Sequence, residues 1–152
     1  MKADRTIGVI GAGTCSEHTY EVARQVGLEI AKRGWDLVCG GLGGVMEGAA
    51  RGCMEGGGRT IGLLPGPEKE DANPYIEIPI ATGLGEGRNL LLVRTSDLLI
   101  AIAGGYGTLS EIALALKIGH PVVGLDTWRD IDGVRYVESP FEAIRLAETI
   151  LL

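Results

Sequence analysis

Leu98-Leu99-Ile100-Ala101-Ile102-Ala103-Gly104-Gly105-Tyr106-Gly107-Thr108-Leu109-Ser110-Glu111 decides the fold. It reads as a buried strand, a glycine turn and the start of an apolar helix that runs to Ile118. A strand that turns through glycines into a helix places backbone N–H groups and a positive helix end where an anion can sit. Thr108-Leu109-Ser110-Glu111 has the form of a capping box. In that form the threonine hydroxyl accepts from the Glu111 N–H and the carboxylate reaches back to the Thr108 N–H. The glycines also leave that carboxylate at the mouth of the site they form, so Glu111 has both a capping and a chemical reading.

The same grammar recurs upstream. Residues 6–11 read as a buried strand and lead into the loop Gly11-Ala12-Gly13-Thr14-Cys15-Ser16 and a helix over 19–33. Residues 36–40 read as a second strand, followed by Gly41-Leu42-Gly43-Gly44 and a helix over 44–55. A third strand covers 60–64, and a short extended piece at 76–80 carries Pro79, which suits a sheet edge. A helix over 86–95 feeds the strand at Leu98, and 121–125 is another strand. Residues 128–137 read as irregular, with Asp132-Gly133 as a turn, and the 126–137 segment is a candidate lid. Ser139-Pro140-Phe141-Glu142 supplies an N-cap, a proline at the first helical position and a glutamate at the third, and starts the last helix. Strands that are apolar runs, alternating with helices, predict an α/β fold. It is a single Rossmann-like, doubly wound, mainly parallel sheet with helices on both faces, spanning 1–152 as one domain. Ligands of such sheets bind beyond the carboxyl ends of the strands, and the glycine clusters at 11–13, 40–44 and 104–107 lie at those ends.

The chain has 152 residues, 45% of them hydrophobic, and a formal charge of −6. That length can bury a core without staples. An acidic balance disfavours nucleic acid as a partner, which calls for a basic footprint. A small phosphorylated ligand held by local donors remains compatible with it. No segment approaches the ~20 apolar residues of a membrane span, and Met1-Lys2-Ala3-Asp4-Arg5 does not open a signal peptide. Three cysteines, Cys15, Cys39 and Cys53, give neither a disulfide framework nor metal-ligand spacing. A cytoplasmic location with no metal and no resident cofactor is the expectation.

The site is expected to draw phosphate or nucleotide contacts from Gly11, Gly13, Thr14, Gly41, Gly43, Gly44, Gly104, Gly105, Gly107 and Thr108. The first loop resembles the dinucleotide fingerprint, but Ser16 replaces its third glycine, and Cys39-Gly40 stands where an acidic residue would hold the ribose. The second loop lacks the lysine of a P-loop. Arg88 is a single cation near the ligand edge, and its planar fork suits phosphate or carboxylate. His18 and His120 show no metal pattern.

Gly-Gly-x-Gly-Thr-x-x-Glu at 104–111, with the glycine segment 40–46 ending in Val45-Met46, resembles the LOG-like family, whose members were often labelled "possible lysine decarboxylase". The resemblance covers roughly residues 6–125. It implies a phosphoribohydrolase that cuts the N-glycosidic bond of a nucleoside 5′-monophosphate, with Arg88 and Glu111 as the catalytic pair. Arg88 precedes Ser96-Asp97 as the family arginine precedes its own Ser-Asp pair. Two departures stand out. Ala103 replaces the proline before the double glycine, and Gly85-Glu86-Gly87-Arg88-Asn89 replaces Met-His-x-Arg-Lys. This shorter form is also similar to the molybdenum-cofactor carrier proteins, which implies an alternative, a non-catalytic carrier or sensor that binds molybdenum cofactor or a nucleotide. No lysine sits in a context for pyridoxal phosphate. Near-continuous apolar faces on 90–93 and 109–118 predict a homodimer or higher homo-oligomer.

Overall fold

A computed structural model describes residues 5–152; the reading of Met1 to Asp4 lies outside them. The order of elements is β1 (Thr6–Gly11), α1 (Glu17–Lys32), β2 (Asp36–Cys39), α2 (Val45–Glu55), β3 (Thr60–Leu64), β4 (Ile78–Ala81), α3 (Arg88–Thr95), β5 (Leu98–Ile102), α4 (Tyr106–Lys117), β6 (Val122–Leu125), β7 (Val134–Val137) and α5 (Pro140–Leu151). Single 3-10 turns precede β4 and α3. The seven strands form one sheet in the order β4-β3-β2-β1-β5-β6-β7, and every pairing is parallel. This is the Rossmann-like doubly wound α/β fold that the alternation of elements implies.

The apolar strands follow from burial on both faces. Ile7, Val9, Leu98, Ile100 and Ile102 point to the side covered by α1, α2 and α5, where they meet Val26, Ile30 and Ile144. Ile10, Leu99, Ala101 and Val122 point to the other side and meet Leu92 and Val93 of α3 and Ile112 of α4. The side on which successive strands are added switches between β1 and β5, which pair in parallel from Ile7↔Leu98 to Gly11↔Ile102. A crevice beyond the carboxyl ends of these two strands is therefore built into the topology. Ser96 and Asp97 secure the opposite end of the pair. The Asp97 carboxylate accepts from the Thr6 N–H at 2.8 Å, and the Ser96 hydroxyl fills the space beside Gly8 and donates to the Leu92 carbonyl at 2.8 Å.

Several local readings need correction. The capping box does not form. The helix α4 starts at Tyr106 with Gly105 as its N-cap and no side-chain cap bond, so Thr108 is its third residue and Glu111 lies a turn further inside. Residues 134–137 are not irregular but form β7, the edge strand beside β6. The first helix begins earlier than residue 19, because the Ser16 hydroxyl caps it by accepting from the Thr19 N–H at 3.1 Å. The last helix starts as its sequence predicts, with the Ser139 hydroxyl accepting from the Glu142 N–H at 3.2 Å. Among the described residues no helix is long and apolar enough to cross a membrane.

Candidate functional site

A cleft of about 660 Å³ opens at the carboxyl ends of β1 and β5. One wall is the loop after β1, with Gly11, Ala12 and Gly13, and the other is the start of α4, with Gly105, Tyr106, Gly107 and Thr108. Arg88 and Asn89 from the start of α3, together with Ser110 and Glu111, also line it. The sequence-predicted residues Gly11, Gly13, Arg88, Gly105, Gly107, Thr108 and Glu111 thus meet in one place. Thr14, Gly41, Gly43, Gly44 and Gly104 are not among the lining residues. Gly43 and Gly44 pack on the backbone of Gly13, and Gly41 packs on Leu64. Gly104 takes φ +102°, and a Cβ there would lie 2.2 Å from the Thr108 hydroxyl oxygen. The glycine therefore lets β5 turn sharply into α4 with Thr108 folded over it.

That turn leaves a set of donors facing the cleft. The first N–H groups of a helix have no carbonyl one turn back, and Gly105 offers no side-chain cap. The exposed start of α4 is thus a cluster of free amides at a positive helix end.

Behind these amides stand two charged groups. Glu111 as a residue is only 9% exposed. Burial pushes its pKa up from 4.5 to about 7, and the nearby positive charge of Arg88 restrains the rise. Arg88 is held by one hydrogen bond, from Nη1 to the Leu63 carbonyl at 2.8 Å. Its Nε is buried and has no hydrogen-bond partner. An unpaired buried donor costs about 1–3 kcal/mol, which an acceptor on a ligand would relieve. The guanidinium fits only because residue 40 lacks a side chain, since a Cβ on Gly40 would lie 2.0 Å from Nη1. This role of Gly40 has no signature in the sequence, because the contact joins the end of β2 to α3 across the sheet.

The remaining candidates fall elsewhere. Cys39 is buried at the end of β2, and burial raises its thiol to about 11. His18 lines a separate hollow of about 230 Å³ with Asp126, Arg129 and Glu138. Among the described residues no three His, Cys, Asp or Glu side chains gather as metal ligands would.

An open parallel sheet with a glycine-walled cleft at its reversal point marks a Rossmann-like protein. The chain belongs to the SLOG cluster4 family, whose model matches residues 4–148. It is 49% identical over 138 residues to an uncharacterized protein of Archaeoglobus fulgidus, with 91% of each chain covered. It is 36% identical over 148 residues to a protein of Mycobacterium tuberculosis named cytokinin riboside 5′-monophosphate phosphoribohydrolase, covering 89% of this chain and 78% of that one. The solved structure of the molybdenum cofactor binding protein from Rippkaea orientalis superposes with a TM-score of 0.93 at 36% identity, covering 100% of both chains.

Proposed function

We propose that the cleft binds a nucleoside 5′-monophosphate and hydrolyses its N-glycosidic bond. The observation that carries this reading is the buried Glu111 carboxyl, with a pKa of about 7, set behind the free amides of α4 and beside Arg88. The amides of Gly105, Gly107 and Thr108 hold the phosphate. Arg88 supplies its unpaired Nε–H and its charge to the ribose phosphate or the base. Hydrolysis breaks the bond from C1′ to the base nitrogen, and the electron pair leaves with the base. The water oxygen bonds to C1′, and its proton ends on the base. Positive charge develops on the ribose in between, as in other glycoside hydrolyses. The ionised Glu111 faces that charge or orients the water. The relative named as a phosphoribohydrolase supports this reading.

The test is incubation with AMP and related monophosphates, with free base followed by chromatography. Glu111→Gln is expected to abolish release while AMP binding persists. Normal turnover by that variant overturns the mechanism.

A second reading is binding of molybdenum cofactor without turnover. The end-to-end superposition on the Rippkaea orientalis protein favours it. No base release, together with pterin fluorescence that co-purifies with the protein, would select this reading.

Self-association belongs to either reading. Ile78 and Ile80 on the edge strand and Leu84, Leu90 and Leu91 on and before α3 are exposed. A second copy packed there would bury them, and light scattering that gives a monomer at micromolar concentration overturns it.

A further inference from the structure

The three residues after β6 run beside the turn that follows β5. The Ala103 N–H donates to the Asp126 carbonyl at 3.1 Å. The Thr127 hydroxyl donates to the Ala103 carbonyl at 2.7 Å. The Trp128 indole Nε1–H donates to the Gly105 carbonyl at 2.9 Å. That carbonyl also accepts the first intrahelical bond of α4, from the Leu109 N–H at 3.0 Å, so both of its lone pairs are engaged. The ring of Trp128 lies against Tyr106, with centroids 5.8 Å apart.

Trp128 is itself anchored. The Tyr136 hydroxyl, from β7, donates to the Trp128 carbonyl and accepts from the Ile131 N–H at 3.1 Å. The Arg129 guanidinium packs over the Tyr136 ring at 5.5 Å from its centroid. Residues 126–136 therefore form a splint on the outer side of the turn, and none of them lines the cleft.

The consequence lies in one peptide plane. The Gly105 carbonyl and the Tyr106 N–H belong to the same planar trans unit and point in opposite directions. Holding the carbonyl away from the cleft holds the N–H toward it. Two glycines in succession, Gly104 and Gly105, leave this plane little restraint of its own. We infer that Trp128 is a positioning residue for the anion site: its indole N–H fixes the Gly105–Tyr106 peptide and so sets the affinity for the phosphate of the ligand. This rests on the proposed seat of the phosphate at the start of α4.

Trp128→Phe tests the inference, because it keeps an aromatic ring beside Tyr106 and removes the donor; the adenosine and melting controls account for the smaller ring. Calorimetry with AMP and adenosine, alongside thermal denaturation, separates positioning from general damage. Loss of one such bond corresponds to about a threefold to tenfold weaker complex. That loss is expected for AMP, with adenosine affinity and melting temperature unchanged. Amide hydrogen exchange at Leu109, whose N–H is bonded to the Gly105 carbonyl, is expected to rise in the ligand-free variant. Unchanged AMP affinity, or equal weakening of AMP and adenosine with a lowered melting temperature, overturns the inference. Wild-type protein that binds neither AMP nor inorganic phosphate overturns the phosphate seat first, and this inference with it. Unchanged exchange at Leu109 overturns the splint whatever the ligand.

Discussion

Replacing Glu111 by glutamine tests the electrostatics of the site without any ligand. The carboxyl has a pKa of about 7 in the folded protein against an ordinary 4.5, and burial is the main cause. At ~1.4 kcal/mol for each tenfold change in proton affinity, the ionised form costs the folded state about 3 kcal/mol. The sign follows from proton counting. Between about pH 4.5 and 7 the folded protein keeps a proton that the unfolded chain has lost. Stability therefore falls as pH rises through this window and stays lowered above it. Glutamine has the same shape and never ionises, and among the described residues no hydrogen bond to the Glu111 side chain is lost with the change. The variant should match the wild type below about pH 4.5, apart from a constant offset. By about pH 8 it should gain about 3 kcal/mol. Urea denaturation at a series of pH values, followed by tryptophan fluorescence, measures the difference. An offset that stays constant from about pH 4.5 to 8 refutes the burial argument, and with it the reason to treat Glu111 as a tuned group.

Three further outcomes follow from the same geometry. If the ionised Glu111 is the working form, kcat/KM for AMP rises with pH at unit slope and levels off above about 7, the value burial sets for the carboxyl; a profile flat through neutrality contradicts the role. Gly40→Ala puts a Cβ 2.0 Å from Arg88 Nη1 and 2.7 Å from Met46 Sδ. Both are ends of long side chains, so the stability cost stays near 1 kcal/mol. The guanidinium loses its place at Leu63, and an AMP titration should show weaker binding than in Gly43→Ala. Ala103→Pro should destabilise by about 3 kcal/mol or more, because φ is +52° there and the N–H is bonded to Asp126; a melting temperature equal to the wild type would show that the turn has a second conformation.

The parts of this fold that rest on local pattern were legible. Apolar runs between glycine turns gave a doubly covered parallel sheet, and Ser139-Pro140 gave the start of α5. Seven of the twelve residues expected at the site line one cleft, because strand–turn–helix order fixes which ends of the strands they occupy. What was not legible is non-local. Gly40 matters through Arg88, which lies 48 residues away in the chain. The Trp128 bond to Gly105 spans 23 residues and joins two loops that only the sheet order β5-β6 brings together. Strand β7 is four residues long with one buried position, Val134, too short for periodicity to reveal.

The misread capping box shows why local pattern fails at this site. Thr-x-x-Glu at a helix start satisfies two amides with side chains when the threonine is the N-cap. Here the helix gains a further turn at its front, because Gly104, at φ +102°, and Gly105 carry the chain directly from β5 into it. The same two residues then serve another end. Thr108, 3% exposed, packs over Gly104, and Glu111 is carried into the interior. Of the two amides that a capping box would have consumed, that of Glu111 now lies inside the helix and that of Thr108 is left without a carbonyl one turn back, among the residues that line the cleft. A helix start that gives up its side-chain cap has unsatisfied donors in want of an acceptor. With an unpaired arginine Nε beside them, the anionic ligand group proposed above would satisfy both sets of donors, and the lost cap is what makes room for it.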